Sequence, residues 1–416
     1  MRRPSAERLY YGLSFGLRMP TWVVMAVYLV RTLHLSPLEL VLMGTAMEAA
    51  VFLFEVPTGV VADTYSRRLS LIVGYLGMGT AWLAVALVSA PWIVIVLWAL
   101  WGISYTFTSG AEQAWLADEA GPERASGIFL RAARFGQAGA VVGLLIQVAV
   151  GAASLRAGVL LGGVFTIACG LACITLMEEH GFQRRPREER HTPLREMRAT
   201  AVAGARYTRA APVIVLLVAV GVFAGMSSEG FDRLKEAHFL RDVGLPAVGH
   251  LSPVVWFGVF YLVGMAVGFS GTTYLIRRFE RDGSATIAAA LLGLVVFELA
   301  AMILFAAAWS AWAAIAALLG VFLARDLADP LYTIWLNEQI TDSSVRATVF
   351  SITGQADAIG QAAGGPVIGA IGNVWGIRAA LLAGATALAP AAALFARAIG
   401  RHGREPELDE LPQPAS

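Results

Sequence analysis

The chain has 416 residues, of which 57% are hydrophobic and only 15% charged, with a formal net charge of +1. Its mean hydropathy is +0.66, far above that of a soluble domain, and so even a charge balance excludes an electrostatic nucleic-acid partner. The composition is that of an all-α membrane protein whose surroundings are a lipid bilayer.

A membrane-crossing helix needs about 20 predominantly apolar residues. In chain order, twelve such spans are predicted, at residues 9–31, 38–61, 69–89, 92–117, 127–150, 157–177, 212–238, 253–276, 285–308, 310–338, 347–371 and 378–398. The first is too long, and lacks the small-residue cleavage site, for a signal peptide. Arginines collect at one end of the spans. Arg2, Arg3 and Arg8 precede span 1, Arg67 and Arg68 follow span 2, and Arg124 follows span 4. Six more crowd residues 184–198, Arg277, Arg278 and Arg281 follow span 8, Arg346 follows span 10, and Arg397, Arg401 and Arg404 close the chain. The opposite loops carry little beyond Arg31, Arg156, Arg241 and Arg378. Because basic residues stay on the cytoplasmic side, both termini and the middle loop are expected there, in a multi-pass protein of the plasma membrane.

The connection between spans 2 and 3 is the most informative stretch. It reads Glu55-Val-Pro-Thr-Gly59-Val-Val-Ala-Asp63-Thr-Tyr-Ser66-Arg67-Arg68. Gly59 permits close helix approach, Asp63 can accept hydrogen bonds from a helix N-terminus or pair with an arginine, and Arg67 and Arg68 hold the turn in the cytoplasm. This resembles the loop between helices 2 and 3 of the major facilitator superfamily, Gly-x-x-x-Asp-x-x-Gly-Arg-Arg/Lys, with Ser66 in place of the second glycine. The resemblance implies a fold of twelve transmembrane helices as two six-helix pseudo-symmetric halves, with a site between them near the midplane. It also implies a gating role for Gly59, Asp63, Arg67 and Arg68, joined by Asp118 and Arg124 in the network that locks the inner gate.

The long polar stretch 178–211 divides the spans six and six, giving an N-terminal half 1–177, a cytoplasmic linker, a C-terminal half 212–398 and a tail 399–416. The halves echo one another. Trp115-Leu-Ala-Asp118 with Arg124-Ala125 after span 4 matches Trp335-Leu-Asn-Glu338 with Arg346-Ala347 after span 10. The loop after span 8 is a degenerate copy of the Asp63 turn, with Leu275 at the acidic position.

Ionisable residues inside a span are costly, so each is a functional candidate. In span 1, Arg18 can pair with Glu55 of span 2, which also carries Glu48 seven residues earlier on the same helix face. Glu112 of span 4 can pair with Arg131 or Arg134 at the start of span 5. Span 7 carries Glu229, Asp232, Arg233, Lys235, Glu236 and His238. Most of these sit late enough to form a solvated extension of the helix. Glu229 lies deeper, can pair with Arg233 one turn on, and with Asp232 is a gate or coupling candidate. Glu298 in span 9 has no evident role. In span 10, Arg325 and Asp329 are spaced to pair on one face, which leaves Asp326 as the better proton carrier. Asp357 of span 11 precedes a Gly/Pro run, Gly360 to Gly369, that resembles the kinking, leak-sealing motif of antiporters, though there it belongs to span 5. Arg18, Glu48, Glu55, Glu112, Glu229, Asp232, Arg325, Asp326, Asp329 and Asp357 together form the expected substrate and proton pathway.

Other functions lack their residues. A phosphate-binding loop needs Gly-Lys-Ser/Thr, and the single lysine, Lys235, sits within Leu-Lys-Glu. The six histidines are scattered, so neither an enzyme nor a metal site is expected, and no cofactor. Cys169 and Cys173, four apart in one apolar run, read as packing residues. The first half, with Glu-Val-Pro-Thr-Gly before Asp63 and Ala-Glu-Gln-Ala-Trp-Leu-Ala-Asp after it, looks like bacterial drug-efflux members of the superfamily. That resemblance implies a monomeric secondary transporter coupling proton entry to efflux of small amphipathic molecules. Trp22, Phe52, Trp101, Phe107, Trp256 and Phe260 are candidates to line its cavity, although packing or interface anchoring is the simpler role for most of them. Proton-coupled movement of a small metabolite, and a non-transporting membrane sensor or scaffold, are the alternatives.

Overall fold

A computed structural model describes residues 5–182, 206–279, 284–340, 342 and 345–402. The long middle loop, the C-terminal tail and many of the orienting arginines therefore lie outside the described residues. The helices are α1 (Ala6–Leu17), α2 (Trp22–Arg31), α3 (Pro37–Thr64), α4 (Arg67–Val85), α5 (Pro91–Thr106), α6 (Ala111–Ala120), α7 (Pro122–Ala153) and α8 (Leu155–Leu176). They continue with α9 (Pro212–His238), α10 (Pro253–Phe279), α11 (Ser284–Ala307), α12 (Ala311–Glu338), α13 (Arg346–Trp375) and α14 (Ile377–His402). Among the described residues, eleven segments are long and apolar enough to cross a membrane. The twelfth expected span is α13, a 30-residue helix that packs against α3, α9 and α14 but whose glycines and glutamines make it less apolar than the others.

Two expected spans are not single helices. The first divides into α1 and α2 because Pro20 has no N–H to give the helix and disfavours helical backbone at Met19. The Thr21 hydroxyl restarts the helix by accepting from the Val23 N–H at 3.3 Å, and Gln147 of α7 donates to the freed Met19 carbonyl at 2.5 Å. The fourth divides into α5 and α6 at Gly110, whose φ of 74° suits glycine. Irregular backbone at membrane depth is tolerated only where protein or a cavity satisfies it, and both breaks border the central cavity.

Small residues set the packing. Gly139 and Gly143 of α7 lie against the backbone of Phe15 and Met19, and Gly360 and Gly364 of α13 lie against Val222 and Met226 of α9, approaches that leave no room for a Cβ. The Gly/Pro run of α13 thus forms a continuous helix with two packing faces. Gly360 and Gly364 serve α9, while Gly365 and Gly369 receive Val41, Thr45 and Leu38 of α3. Cys169 and Cys173 are free and buried.

Helices α1 to α8 pack chiefly among themselves, as do α9 to α14; the two groups meet along α3 with α13 and α9, α7 with α10, and α2 with α9 and α10. The repeat around Trp115 and Trp335 has a matching structural role. Both indoles are fully buried, Trp115 donating from Nε1 to the Glu178 carbonyl just beyond α8 at 2.7 Å and Trp335 packing on Phe395 of α14 at 5.0 Å. In each half the fourth span is locked to the sixth.

Candidate functional site

The two halves touch mainly at one end. Among the described residues, two hydrogen bonds cross between them, from the Leu38 N–H to Asn373 Oδ1 at 2.9 Å and from Arg241 Nη2 to the Leu35 carbonyl at 2.7 Å. Both lie at the end of α3 remote from Asp63. There Gly372 also meets Pro37, and Gly151 of α7 lies beside Val24 and Val254. Towards the Asp63 end, Phe52, Glu55 and Tyr105 of one half and Gly354 and Gln355 of the other are exposed and line an opening between the halves. The molecule is therefore sealed at one end and open at the other.

The space between has three continuous parts of about 710, 570 and 420 Å3. Their shared wall is aromatic. Trp22 stacks on Trp98 at 4.5 Å, and Trp101 stacks on Tyr105 at 5.6 Å. Trp22, Trp101 and Phe52 thus line the cavity as expected. Trp256 and Phe260 instead belong to the buried core of the C-terminal half, which is the packing role that most aromatics in a helical bundle fill.

The expected charges divide into those that face the cavity and those that are paired beside it. Arg18 and Glu112 line one part of the cavity with Gln113 and Tyr75. Glu48, Glu55 and Asp357 line another, with Ser109 Oγ 3.5 Å from Glu55 and Gln361 Nε2 donating to Asp357 at 2.6 Å. Arg18 is thus grouped with Glu112 and not, as its span position suggested, with Glu55. Nor does Glu112 pair with Arg131, which binds Glu7 at 3.3 Å because α1 crosses α7 at that level.

Span 7 corrects the largest expectation. Its late charges do not form a solvated extension: Lys235, Glu236 and His238 are all buried, as is the deeper Glu229. Glu229 pairs with Arg233 at 3.1 Å, as their spacing predicts, and the Arg233 guanidinium lies over the Trp22 ring at 5.4 Å. Gly44 of α3 fits directly against this pair. Lys235 sits 3.7 Å from Asp232 and 3.6 Å from Glu236, and Tyr261 donates to Glu236 at 3.2 Å. The single lysine and its neighbours were the signal that sequence reasoning passed over. A charge inside a span needs a partner wherever it falls.

Arg325 also departs from expectation. It donates from Nε to Glu298 at 2.6 Å and from Nη1 to Asp232 at 2.9 Å, with Phe231 beneath its guanidinium at 5.1 Å. The i, i+4 pairing with Asp329 is replaced: Arg325 turns to α9 and α11, while Asp326 and Asp329 stay exposed. Glu298 thereby gains its role, tying α11 to α12 and α9. Pro330 frees the carbonyl four residues back, that of Asp326, which accepts from Thr272 Oγ1 of α10 at 3.2 Å.

At the open end, Arg67 reaches Asp118 at 2.9 Å and Asp63 at 3.8 Å. Glu179 accepts from Ser66 Oγ at 2.6 Å and from the Arg68 N–H at 3.0 Å, and Arg68 Nη2 donates to the Ile174 carbonyl at 2.6 Å. Asp118 is therefore tied to Asp63 through Arg67. The serine that departs from the motif caps α4 and gives Glu179 its donor. Gly59 has open space around it. Because the Asp63 side chain is 57% exposed, an Asp63→Asn variant is expected to fold with a stability change under about 1 kcal/mol. If the charge acts on one gate state, as the motif implies, a larger effect should then appear in transport. Wild-type transport rates in this variant would remove the gating role.

Residues 9–324 match the sequence profile of the Major Facilitator Superfamily. Over 113 residues, 27% of each chain, the sequence is 30% identical to an uncharacterised MFS-type transporter, YxaM, of Bacillus subtilis (strain 168). Among solved structures, the nucleoside transporter NupG superposes with a TM-score of 0.74 at 13% identity, covering 94% of this chain and 98% of that one. A peptide transporter POT in complex with sulfate gives 0.74 at 14% identity, covering 96% and 95%. A bacterial homologue of the human lysosomal transporter Spinster, inward-facing and unoccupied, gives 0.72 at 15% identity, covering 96% of each chain.

Proposed function

This chain belongs to the Major Facilitator Superfamily and is a transporter of that type, and from that premise we propose that it exports small amphipathic compounds against proton entry, by alternating access. The observation that carries the reading is the cavity sealed at one end, with a stacked aromatic wall and carboxylates from both halves facing it. Flat apolar surface would hold the hydrophobic part of a solute, and the carboxylates would hold its polar part or a proton. With the arginine-rich side taken as cytoplasmic, the open end faces inward. The monomer is the transporting unit in this reading. Single cysteines at Arg187 and Ser416 are then expected to resist membrane-impermeant reagents on intact cells, and one at Gly249 to react; labelling at Arg187 from outside would reverse the orientation.

Proton coupling would pass through Glu48, Asp357, Asp326, Asp329 or Glu229, since an acid that loses water on closure takes up a proton more readily. Asp232 is the weaker candidate because Arg325 and Lys235 hold it. The test is uptake and efflux of a compound panel in everted vesicles with an imposed pH gradient. Neutralising the proton carrier (Asn for Asp, Gln for Glu) is expected to abolish gradient-driven transport while downhill exchange persists. If all five single variants keep wild-type pH-driven transport, coupling through these carboxylates is wrong and facilitated diffusion becomes the better reading. A proton-coupled transporter of a small polar metabolite is the second reading. It is favoured by Arg18 and Glu112, which present opposite charges to the same part of the cavity.

A further inference from the structure

Span 7 does not end as an ordinary helix. After His238 the chain makes a π-helical turn, Phe239–Val243, closed by a hydrogen bond from the Gly244 N–H to the Phe239 carbonyl at 2.9 Å. Gly244 itself has a φ of 86°, which ends the turn sharply. One side of the turn is anchored in its own half, where the fully buried Phe239 ring packs on Phe257, Phe260 and Phe305. The other side presents Arg241, which reaches across the seal to the Leu35 carbonyl. That carbonyl follows His34, whose φ of 53° is strained for a residue with a side chain. Two irregular segments, one from each half, thus meet through a single hydrogen bond.

His238 stands at the root of this turn with no exposed surface. Its Nδ1 lies 3.0 Å from Asp242 Oδ2 and its Nε2 lies 3.1 Å from the Phe305 carbonyl. Both ring nitrogens therefore face oxygen, yet a neutral imidazole carries only one N–H. With Asp242 ionised, satisfying both contacts requires the imidazolium. With the proton moved onto Asp242, the same two hydrogen bonds form and the proton count is unchanged. In either arrangement the pair holds one proton more than a neutral histidine beside a carboxylate. The charged groups facing the ring are Asp242 on the turn and Arg378 at the start of α14; α11 contributes the Phe305 carbonyl and ring.

We propose that His238 and Asp242 form a proton-binding site that holds the sealed end shut. Loss of the proton leaves an oxygen of Asp242 or Phe305 facing a bare ring nitrogen, the turn relaxes, and Arg241 loses its aim at Leu35. The seal is then favoured by protons on its own side of the membrane. This site is separate from the cavity carboxylates, and it rests on the alternating-access reading above only in assuming that the seal opens.

The test is a distance measurement on the purified full chain in lipid nanodiscs, without substrate or gradient. Spin labels go on cysteines replacing Thr32 and Val248, one exposed residue on each side of the seal, after Cys169 and Cys173 are replaced by alanine. From about pH 5.5 to about pH 8.5, the ratio of short to long distances is expected to fall by about tenfold, an effect within reach of one linked proton. His238→Gln is expected to remove that pH dependence, and Arg241→Gln to lower the short-distance population at every pH. A wild-type distribution that does not move with pH would overturn the proposal without any His238 variant. So would an unchanged pH response in His238→Gln. Failure of proton-driven efflux in vesicles would count against the coupling reading and leave this measurement unaffected.

Discussion

Arg325→Ala is expected to be among the most damaging single substitutions in the chain, lowering membrane yield and thermal stability together. The guanidinium is shared by Glu298, 13% exposed, and Asp232, 43% exposed; its removal strands the Glu298 carboxylate inside the bundle, whereas Asp232 keeps Lys235 at 3.7 Å. Breaking a buried ion pair by deleting one partner costs about 3–5 kcal/mol, because the remaining charge stays desolvated. Arg325→Lys keeps the charge but offers one compact ammonium to two acceptors on different helices, so an intermediate loss is expected. The decisive comparison is the double variant Arg325→Met with Glu298→Gln, which removes the orphaned charge along with its partner. It should recover part of the thermal midpoint, read by the temperature dependence of monodisperse protein in detergent. If the single alanine variant melts like the wild type, the three-helix tie among α9, α11 and α12 carries no stability.

A second large effect is expected at Gly369. Its position against Leu38 and Val41 leaves about the space of a hydrogen atom, since an added Cβ would stand 3.0 Å from the Leu38 Cα and 3.2 Å from the Val41 Cβ. Gly369→Leu inserts a wedge between the halves at the sealed end while leaving α13 a good helix. The bundle can relieve the clash by opening, so the sealed population should fall by tenfold or more, about 1.4 kcal/mol. A cysteine at Val41, which has no exposed surface in the sealed molecule, reports the change. Its labelling rate by a water-soluble maleimide is expected to rise in the Gly369→Leu background. Unchanged protection of Val41→Cys in a folded variant would mean that the seal is held elsewhere.

How much of this was legible in the sequence depends on distance along the chain. Span positions follow from apolar runs, and Glu229 with Arg233 follows from helical spacing alone. The partner of Arg325 does not. Spacing favoured Asp329, four residues on, but a long side chain on α12 can reach two neighbouring helices, and Asp232 and Glu298 lie 93 and 27 residues away. Which residues face those helices is fixed by tertiary packing. For the same reason Glu7 takes Arg131, and Arg67 takes Asp118. The late charges of span 7 were misread because hydropathy measures distance from the end of an apolar run, and not what other helices cover it. Pro20 was visible throughout, and its consequence for span 1 followed from covalent geometry alone.

That break has a mechanical meaning. Segment α2 is buried on nearly every side and belongs to the seal through Val24, which meets Gly151 beside Val254, whereas α1 runs along α7 towards the open end. A continuous rod across the bilayer would have to snap backbone hydrogen bonds in hydrocarbon for its two ends to move apart. Here the Pro20 amide has no hydrogen to lose, and the Met19 carbonyl is already held by a side chain on another helix. Span 1 is a pair of short levers on a pivot, and the flexing that the proposed rocking would demand of it needs no helical hydrogen bond from residue 20 to break.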